Sequence, residues 1–125
     1  MLEIKSIDMT CSTERGQLYF NAADLPELDK GIITVTLDIG DEHEEASSLF
    51  SFYIVIGEDQ EAKQMYESYV SDNYPAVYFC NFSKSSITDT ISERFKDANK
   101  GNFEDSLPFL RKLFLWEFEG EKILD

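Results

Sequence analysis

The residues best suited to chemistry lie between positions 38 and 45, where carboxylates surround the single histidine of the chain. A histidine can act as a general base when a pocket holds it beside a substrate. His43 is flanked by acids in a predicted turn, and nothing in the sequence indicates such a pocket. We therefore interpret His43 as a solvated turn residue. The acidic cluster around it comprises Asp38, Asp41, Glu42, Glu44 and Glu45.

These carboxylates could supply oxygen ligands to a calcium ion, but their spacing does not match the D-x-[DN]-x-[DN]-G-x5-E pattern of an EF-hand loop. Cys11 and Cys80 form a single, widely separated pair with no partner histidines. We interpret both cysteines as reduced apolar side chains. The sequence thus predicts no metal site and no cofactor.

Motifs typical of enzymes are missing as well. The chain contains no glycine-rich phosphate-binding motif, no G-x-S-x-G and no H-E-x-x-H. Glu117 and Glu119 could pair as catalytic carboxylates about 7 Å apart on one face of a strand. Because they alternate with the apolar Trp116 and Phe118, we interpret them as exposed strand residues. We predict that the protein is not an enzyme.

The net charge of −14, from 25 acidic and 11 basic residues, excludes a phosphate-backbone binder as the first interpretation. The tyrosines at positions 66, 69, 74 and 78 could stack on bases, but no Lys or Arg stands beside them. We expect no direct nucleic-acid partner. A dense negative field speeds association with basic proteins and can imitate phosphates, although it can also serve solubility alone. Composition leaves these two roles open.

The 125 residues, of which 42% are hydrophobic and 14% aromatic, are sufficient for one compact domain over residues 1–125. The N-terminus carries acids where a signal peptide would have an uninterrupted apolar region. No apolar run approaches the roughly 18 residues of a membrane span. We expect a cytoplasmic protein with no membrane partner.

The first half of the chain predicts strands. Apolar and polar residues alternate over residues 2–12, and the alternation changes phase between Ile4 and Ile7. This change indicates a bulged or twisted strand. Residues 13–30 have no sustained period and predict a long connection. Apolar residues occupy every second position over residues 33–39 and again over 50–56. This pattern predicts an antiparallel hairpin with the acidic cluster at its tip.

The second half predicts helices between two further strands. An amphipathic helix over residues 58–73, with acids in its first turn, is followed by a short buried strand over 76–82. A second helix, with Ser86 and Asp89 as a capping pair, carries the stripe Ile87, Ile91, Phe95 and Ala98 and ends at Gly101. Asn102 or Ser106 caps a third helix, in which Pro108 requires a late start or a kink. Residues 115–120 predict a last strand with Trp116 and Phe118 inward.

The predicted element order is β-β-β-α-β-α-α-β. This order is typical of the α+β class, with a single largely antiparallel sheet and helices packed mainly on one face. It shows no internal repeat and no domain boundary.

Three stretches resemble the eighth family of immunity proteins from bacterial polymorphic toxin and contact-dependent growth inhibition systems. They are residues 4–8, the hairpin segments 35–40 and 49–52, and the end of the chain with Gly101–Asp105, 110–113 and Trp116-Glu117-Phe118-Glu119. The Trp-Glu-Phe-Glu run after an amphipathic helix is the most distinctive match. Family members commonly carry Cys-Thr-Pro-x-Trp-Leu after the third strand, where this chain has Ile54-Val55-Ile56-Gly57-Glu58-Asp59.

The resemblance implies a cytoplasmic immunity protein that binds and neutralises a cognate toxin C-terminal domain, basic and nuclease-like, without catalysis. The acidic excess is compatible with this role, because a nuclease must be basic where it holds nucleic acid. The alternative is an acidic adaptor or nucleic-acid mimic that binds a basic host protein. The candidate toxin-binding residues are Asp38, Asp41, Glu42, Glu44 and Glu45, then Glu58, Asp59 and Glu61, with Glu117 and Glu119 as secondary candidates.

Overall fold

A mixed, mostly antiparallel sheet is the centre of the computed structural model, which describes residues 1–13, 16–21, 31–57, 64, 75–79, 81 and 83–118. Five strands lie in the order β2-β1-β3-β4-β5, and a two-residue strand, β6, pairs with β4. The helices α1 and α2 follow β5 in the chain. The bounds are β1 Leu2–Thr13, β2 Gly16–Asn21, β3 Gly31–Asp41, β4 Ser47–Ile56, β5 Ala76–Phe79, α1 Lys84–Ala98, α2 Phe103–Leu113 and β6 Leu115–Trp116.

The predicted α+β class and the central hairpin are confirmed. β3 and β4 pair antiparallel from Gly31 opposite Ile56 to Gly40 opposite Ser47, so the acidic cluster lies at the hairpin tip except for Asp38, which lies within β3. β1 pairs antiparallel with β3, and its register shifts between Ile4 and Ser6. This shift is the predicted bulge, and it keeps the apolar side chains on both sides of Lys5 facing the same core.

The core lies between one face of the sheet and the two helices, as predicted. Alternate residues of β3 and β4 are fully buried because successive side chains of a strand point to opposite faces. Ile87, Ile91 and Ala98 of α1 pack against them, together with Leu110 and Phe114. Burying each large apolar side chain of this kind stabilises the fold by about 1.5–3 kcal/mol. Both described helices therefore cover the same face.

Side-chain hydrogen bonds fix the ends of the helices. The Ser83 hydroxyl accepts from the Ser86 N–H, so α1 begins at Lys84 and the predicted Ser86–Asp89 capping pair is wrong. Asn102 caps α2 by accepting from the Asp105 N–H at 2.8 Å. At the other end of α2, the Arg94 guanidinium donates to the Leu113 carbonyl at 2.6 Å and lies over the Phe52 ring. Burial lowers the pKa of Arg94 from its ordinary value.

Two alternatives left open for α2 are thereby decided. Ser106 is fully buried inside the helix, where its hydroxyl accepts from the Lys100 N–H at 2.8 Å. It therefore joins the loop before α2 to the helix and does not cap it. Pro108 also lies within the helix, so of its two alternatives, a late start or a kink, the late start is excluded.

The predicted long connection over residues 13–30 is wrong in part, because it contains β2. This strand pairs with β1 from Gly16 opposite Thr13 to Asn21 opposite Asp8. Leu18, Tyr19 and Phe20 are consecutive and do not alternate with polar residues, so the period-two test misses them. Residues 22–30 lie outside the described part of the chain.

The last two predicted strands are shorter than expected, and both pair with the same edge of β4. β5 pairs in parallel with Tyr53–Ile56, and β6 pairs with Phe50 and Ser51. The predicted strand is confirmed for residues 76–79, but its predicted burial is wrong, because β5 is half-buried with Tyr78 exposed. The chain turns at Glu117 and Phe118, and Phe118 is exposed instead of inward.

Some predictions fall on residues that are not described, namely the helix over 58–73, apart from Gln64, and the side chain of Cys80. Cys11 is a free, fully buried thiol, as predicted, and burial raises its pKa. Among the described residues, no helix is both long enough and apolar enough to cross a membrane.

Candidate functional site

The hairpin tip is a tight turn whose side chains point away from the core. The Glu44 N–H donates to the Asp41 carbonyl at 3.1 Å, and His43 has a φ of 69°. A positive φ at this position is typical of a type II turn, and histidine tolerates it better than most residues. The His43 side chain is 87% exposed and pairs with Glu42 at 3.0 Å. The prediction of a solvated turn histidine is confirmed.

Asp41 joins the tip to the start of α2. Its Oδ1 atom accepts from the Phe103 N–H at 2.8 Å across 62 residues of sequence. This bond satisfies one of the backbone donors that every helix leaves free at its first turn. Two backbone hydrogen bonds support this junction between the tip and α2. The Leu2 N–H donates to the Gly101 carbonyl at 3.1 Å, and the Glu42 N–H donates to the Met1 carbonyl at 2.6 Å.

The junction places two further carboxylates beside the tip. Glu104 and Asp105 occupy the first turn of α2 and are exposed. Negative charge is favourable there because the helix N-terminus carries about half a positive charge. We call the resulting surface the acidic end, and it comprises Asp41, Glu42, Glu44, Glu45, Glu104 and Asp105.

Sequence reasoning missed Glu104 and Asp105 because it sought the neighbour of the tip in the nearest predicted helix, at residues 58–61. A signal was present in the Asn102-Phe103-Glu104-Asp105 run, which is typical of a capped helix start with acids in its first turn. Local patterns could not reveal that this helix start would meet Asp41.

We predict that Asp41 is mainly a structural residue. Asp41→Ala should lower the free energy of unfolding by about 1–2 kcal/mol, because the Phe103 N–H loses a charged acceptor. Urea unfolding followed by circular dichroism measures the change. Glu42→Ala is the matched control and should change stability by less than about 0.5 kcal/mol, because no described contact of its side chain reaches α2. Equal losses in the two variants would contradict the structural role of Asp41.

A groove opens between the tip and α2. It has a volume of about 280 Å³ and is lined by Asp41, Glu44, Ala46, Ser47, Ser48 and Phe103. Phe103 is the only aromatic residue among the described residues that line it. We call it the tip groove. It is half-open to solvent, so it can receive one side chain but cannot enclose a larger ligand.

Gly40 and Lys5 close the back of the tip. The Lys5 side chain crosses Gly40, and its ammonium donates to the Glu44 carbonyl. A Cβ atom on Gly40 would lie 2.6 Å from the Ala46 carbonyl oxygen and 3.0 Å from Cε of Lys5. The bulge in β1 therefore brings a cation onto the hairpin backbone, where it ties down the turn without occupying the groove lining.

The remaining candidates lie elsewhere. Asp38 is half-buried on β3 opposite the exposed Leu49, roughly 10 Å along the strand from Asp41. Glu117 is exposed, lies in the turn after β6 instead of a strand, and donates its N–H to the Leu49 carbonyl at 2.9 Å. The acidic residues Glu58, Asp59, Glu61 and Glu119 fall outside the described residues.

Charge is unevenly distributed between the helical segment and the rest of the chain. Residues 84–113, from the start of α1 to the end of α2, contain six Lys or Arg and five Asp or Glu, so their net charge is +1. The remaining residues contain five basic and twenty acidic side chains, with a net charge of −15. No group of three or more potential metal ligands comes together within the described ranges. Its negative charge allows the acidic end to attract a cationic surface.

The described residues thus form an α+β fold with a strongly acidic end. No family model, curated protein or solved structure shows significant similarity to this chain.

Proposed function

We propose that the protein is a cytoplasmic immunity protein that binds and neutralises a basic, nuclease-like toxin domain, using the acidic end as part of its toxin-binding surface. The observation that carries the proposal is the assembly of six carboxylates from two distant segments, the β3–β4 tip and the start of α2. The bond from the Phe103 N–H to Asp41 joins these segments, and Asn102 caps the start of α2.

A preformed acidic surface suits an inhibitor for two physical reasons. It speeds the encounter with a basic partner, because long-range attraction raises the association rate at low ionic strength. It also loses little entropy on binding, because its backbone is already ordered. A nuclease must present a basic surface to nucleic acid, and a fixed set of carboxylates can cover that surface.

Reversal of three tip charges tests the proposal. Glu42→Lys, Glu44→Lys and Glu45→Lys, combined in one variant, should weaken binding to the toxin domain encoded by the gene immediately upstream by about tenfold or more at low salt. The measurement is capture of that domain by the tagged protein at low and high salt, together with rescue of cells that express it. Asp41 is left intact because its loss would also affect folding.

The matched control carries the same change in charge on α1. Asp89, Glu93 and Asp97 are exposed at four-residue spacing, and their reversal to Lys should leave capture within about threefold of the unmodified protein. Equal weakening by both variants would mean that net charge alone matters. Failure of the unmodified protein to capture the domain or to rescue cells would reject the immunity function and favour the acidic adaptor.

A further inference from the structure

We infer that the tip groove is an anchor site for a single arginine side chain of the toxin domain. The inference deepens the proposed function and rests on it. It starts from the shape of the groove, whose volume of about 280 Å³ and half-open form suit one long side chain. Two of its lining residues, Asp41 and Glu44, are acidic, so the groove favours a positively charged occupant.

The net field at the groove is negative once the opposing charges are counted. The Lys5 ammonium and the N-terminus of α2 contribute positive charge, the latter about half a unit. The acidic end supplies six carboxylates against them. The Phe103 and Asp105 N–H groups are already bonded to Asp41 and Asn102, so the helix start offers these donors to no anion. An anionic ligand is therefore disfavoured, and a cationic side chain is favoured.

The lining favours arginine over lysine. A guanidinium is planar, is more weakly hydrated than an ammonium, and packs against aromatic rings. Phe103 supplies a ring, and its own packing against Phe50, with ring centroids 6.2 Å apart, holds it in place. Ser47 and Ser48 add hydroxyl acceptors that could bond the several N–H donors of a guanidinium. The methylene stem of the arginine would lie over Ala46.

Titration with capped amino acids tests the inference without the toxin. The full chain, labelled with nitrogen-15, is titrated with N-acetyl-arginine amide, and amide chemical shifts are recorded. Saturable shifts confined to residues 44–48 and 103–105 are expected, with a dissociation constant in the range of about 1–10 mM. N-acetyl-lysine amide should bind at least about threefold more weakly, and the neutral N-acetyl-citrulline amide should give no saturable shift. Equal binding of all three probes, or shifts that never saturate, would overturn the inference.

Two variants and one control define the site. Glu44→Gln should weaken arginine binding by about threefold or more, and Ala46→Leu should abolish it by filling the groove while leaving every carboxylate in place. Glu93→Gln removes the same charge from the exposed face of α1 and should leave binding within about 1.5-fold. A Glu93→Gln effect as large as that of Glu44→Gln would also overturn the inference.

The outcomes separate this inference from the proposed function. Arginine binding without capture of the toxin domain would reject the immunity function and retain the groove as an arginine site. Capture of the toxin domain that Ala46→Leu leaves unchanged would retain the function and reject the groove as the anchor site.

Discussion

Replacement of Phe50 by alanine is expected to lower the free energy of unfolding by about 3–5 kcal/mol. Phe50 is fully buried on β4, and its ring packs against three others, with centroids 6.2 Å from Phe103, 6.3 Å from Phe114 and 6.5 Å from Trp116. The substitution leaves a cavity where β4, α2 and β6 meet. Because small domains are stable by about 5–15 kcal/mol, this loss is a large share of the total.

Chemical unfolding measures the Phe50→Ala effect, and the adjacent residue provides its control. Leu49 is 42% exposed on the opposite face of β4, so Leu49→Ala should cost less than about 1 kcal/mol. A loss below about 1.5 kcal/mol for Phe50→Ala would mean that the aromatic cluster repacks easily. Since Phe103 lines the tip groove, the same variant should also weaken binding of the arginine probe.

The strongly alternating parts of the fold could be predicted from sequence. β3 and β4 each have one face buried against the helices, so their apolar residues fall on every second position and give a clear signal. The bulge in β1 was predictable for the same reason, because the apolar pattern changes phase where Lys5 is inserted. In these strands, burial of one face determines which positions are apolar, so the sequence pattern predicts the strand.

Short elements escaped prediction because a neighbouring element decides where they begin and end. β5 occupies the edge of β4 from Tyr53 onward, which limits where β6 can begin, and β6 ends where the chain turns at Glu117. The start of α1 depends on which serine accepts a hydrogen bond, and Ser83, Ser85 and Ser86 all have a suitable hydroxyl. Local propensity does not distinguish these alternatives.

Of the two segments that form the acidic end, only the hairpin tip was predicted. The tip carboxylates follow directly from a hairpin pattern, and their exposure follows from their place in a turn. The position of the other segment, the start of α2, depends on the bond from the Phe103 N–H to Asp41, which joins residues 62 positions apart. Such a contact is set by how α2 packs on the sheet, and nothing in the spacing of the residues encodes it.

Gly40→Ala is the second variant with a large expected effect, a loss of about 2–3 kcal/mol in the free energy of unfolding. The new methyl group would lie 2.6 Å from the Ala46 carbonyl oxygen, a distance that real Cβ atoms do not show. The obstacle is backbone, so the hairpin must open to relieve it. Opening would also strain the Lys5 bond to the Glu44 carbonyl, which holds the turn.

Two comparisons make the Gly40→Ala prediction specific. Ser47→Ala, at the position that pairs with Gly40, removes an exposed hydroxyl and should change stability by less than about 0.5 kcal/mol. Cε of Lys5 is the second-nearest atom to the added methyl group, and Lys5→Ala removes it. The double variant with Gly40→Ala therefore tests whether the Ala46 carbonyl or Lys5 causes the loss of stability. We expect the double variant to be no more stable than Gly40→Ala, because the carbonyl of Ala46 remains in place. Recovery of stability in the double variant would contradict this argument and would identify Lys5 as the obstacle.

The distortion of the hairpin tip in Gly40→Ala should weaken binding of the arginine probe as well as lower stability. Ala46, Ser47 and Ser48 line the tip groove, and the clash at Gly40 displaces the backbone from which they project. Under conditions where Gly40→Ala remains folded, its affinity for the arginine probe should fall by at least about threefold. Unchanged affinity would mean that the groove does not depend on the close approach of β3 and β4. The lack of a side chain at Gly40 would then serve the stability of the hairpin alone.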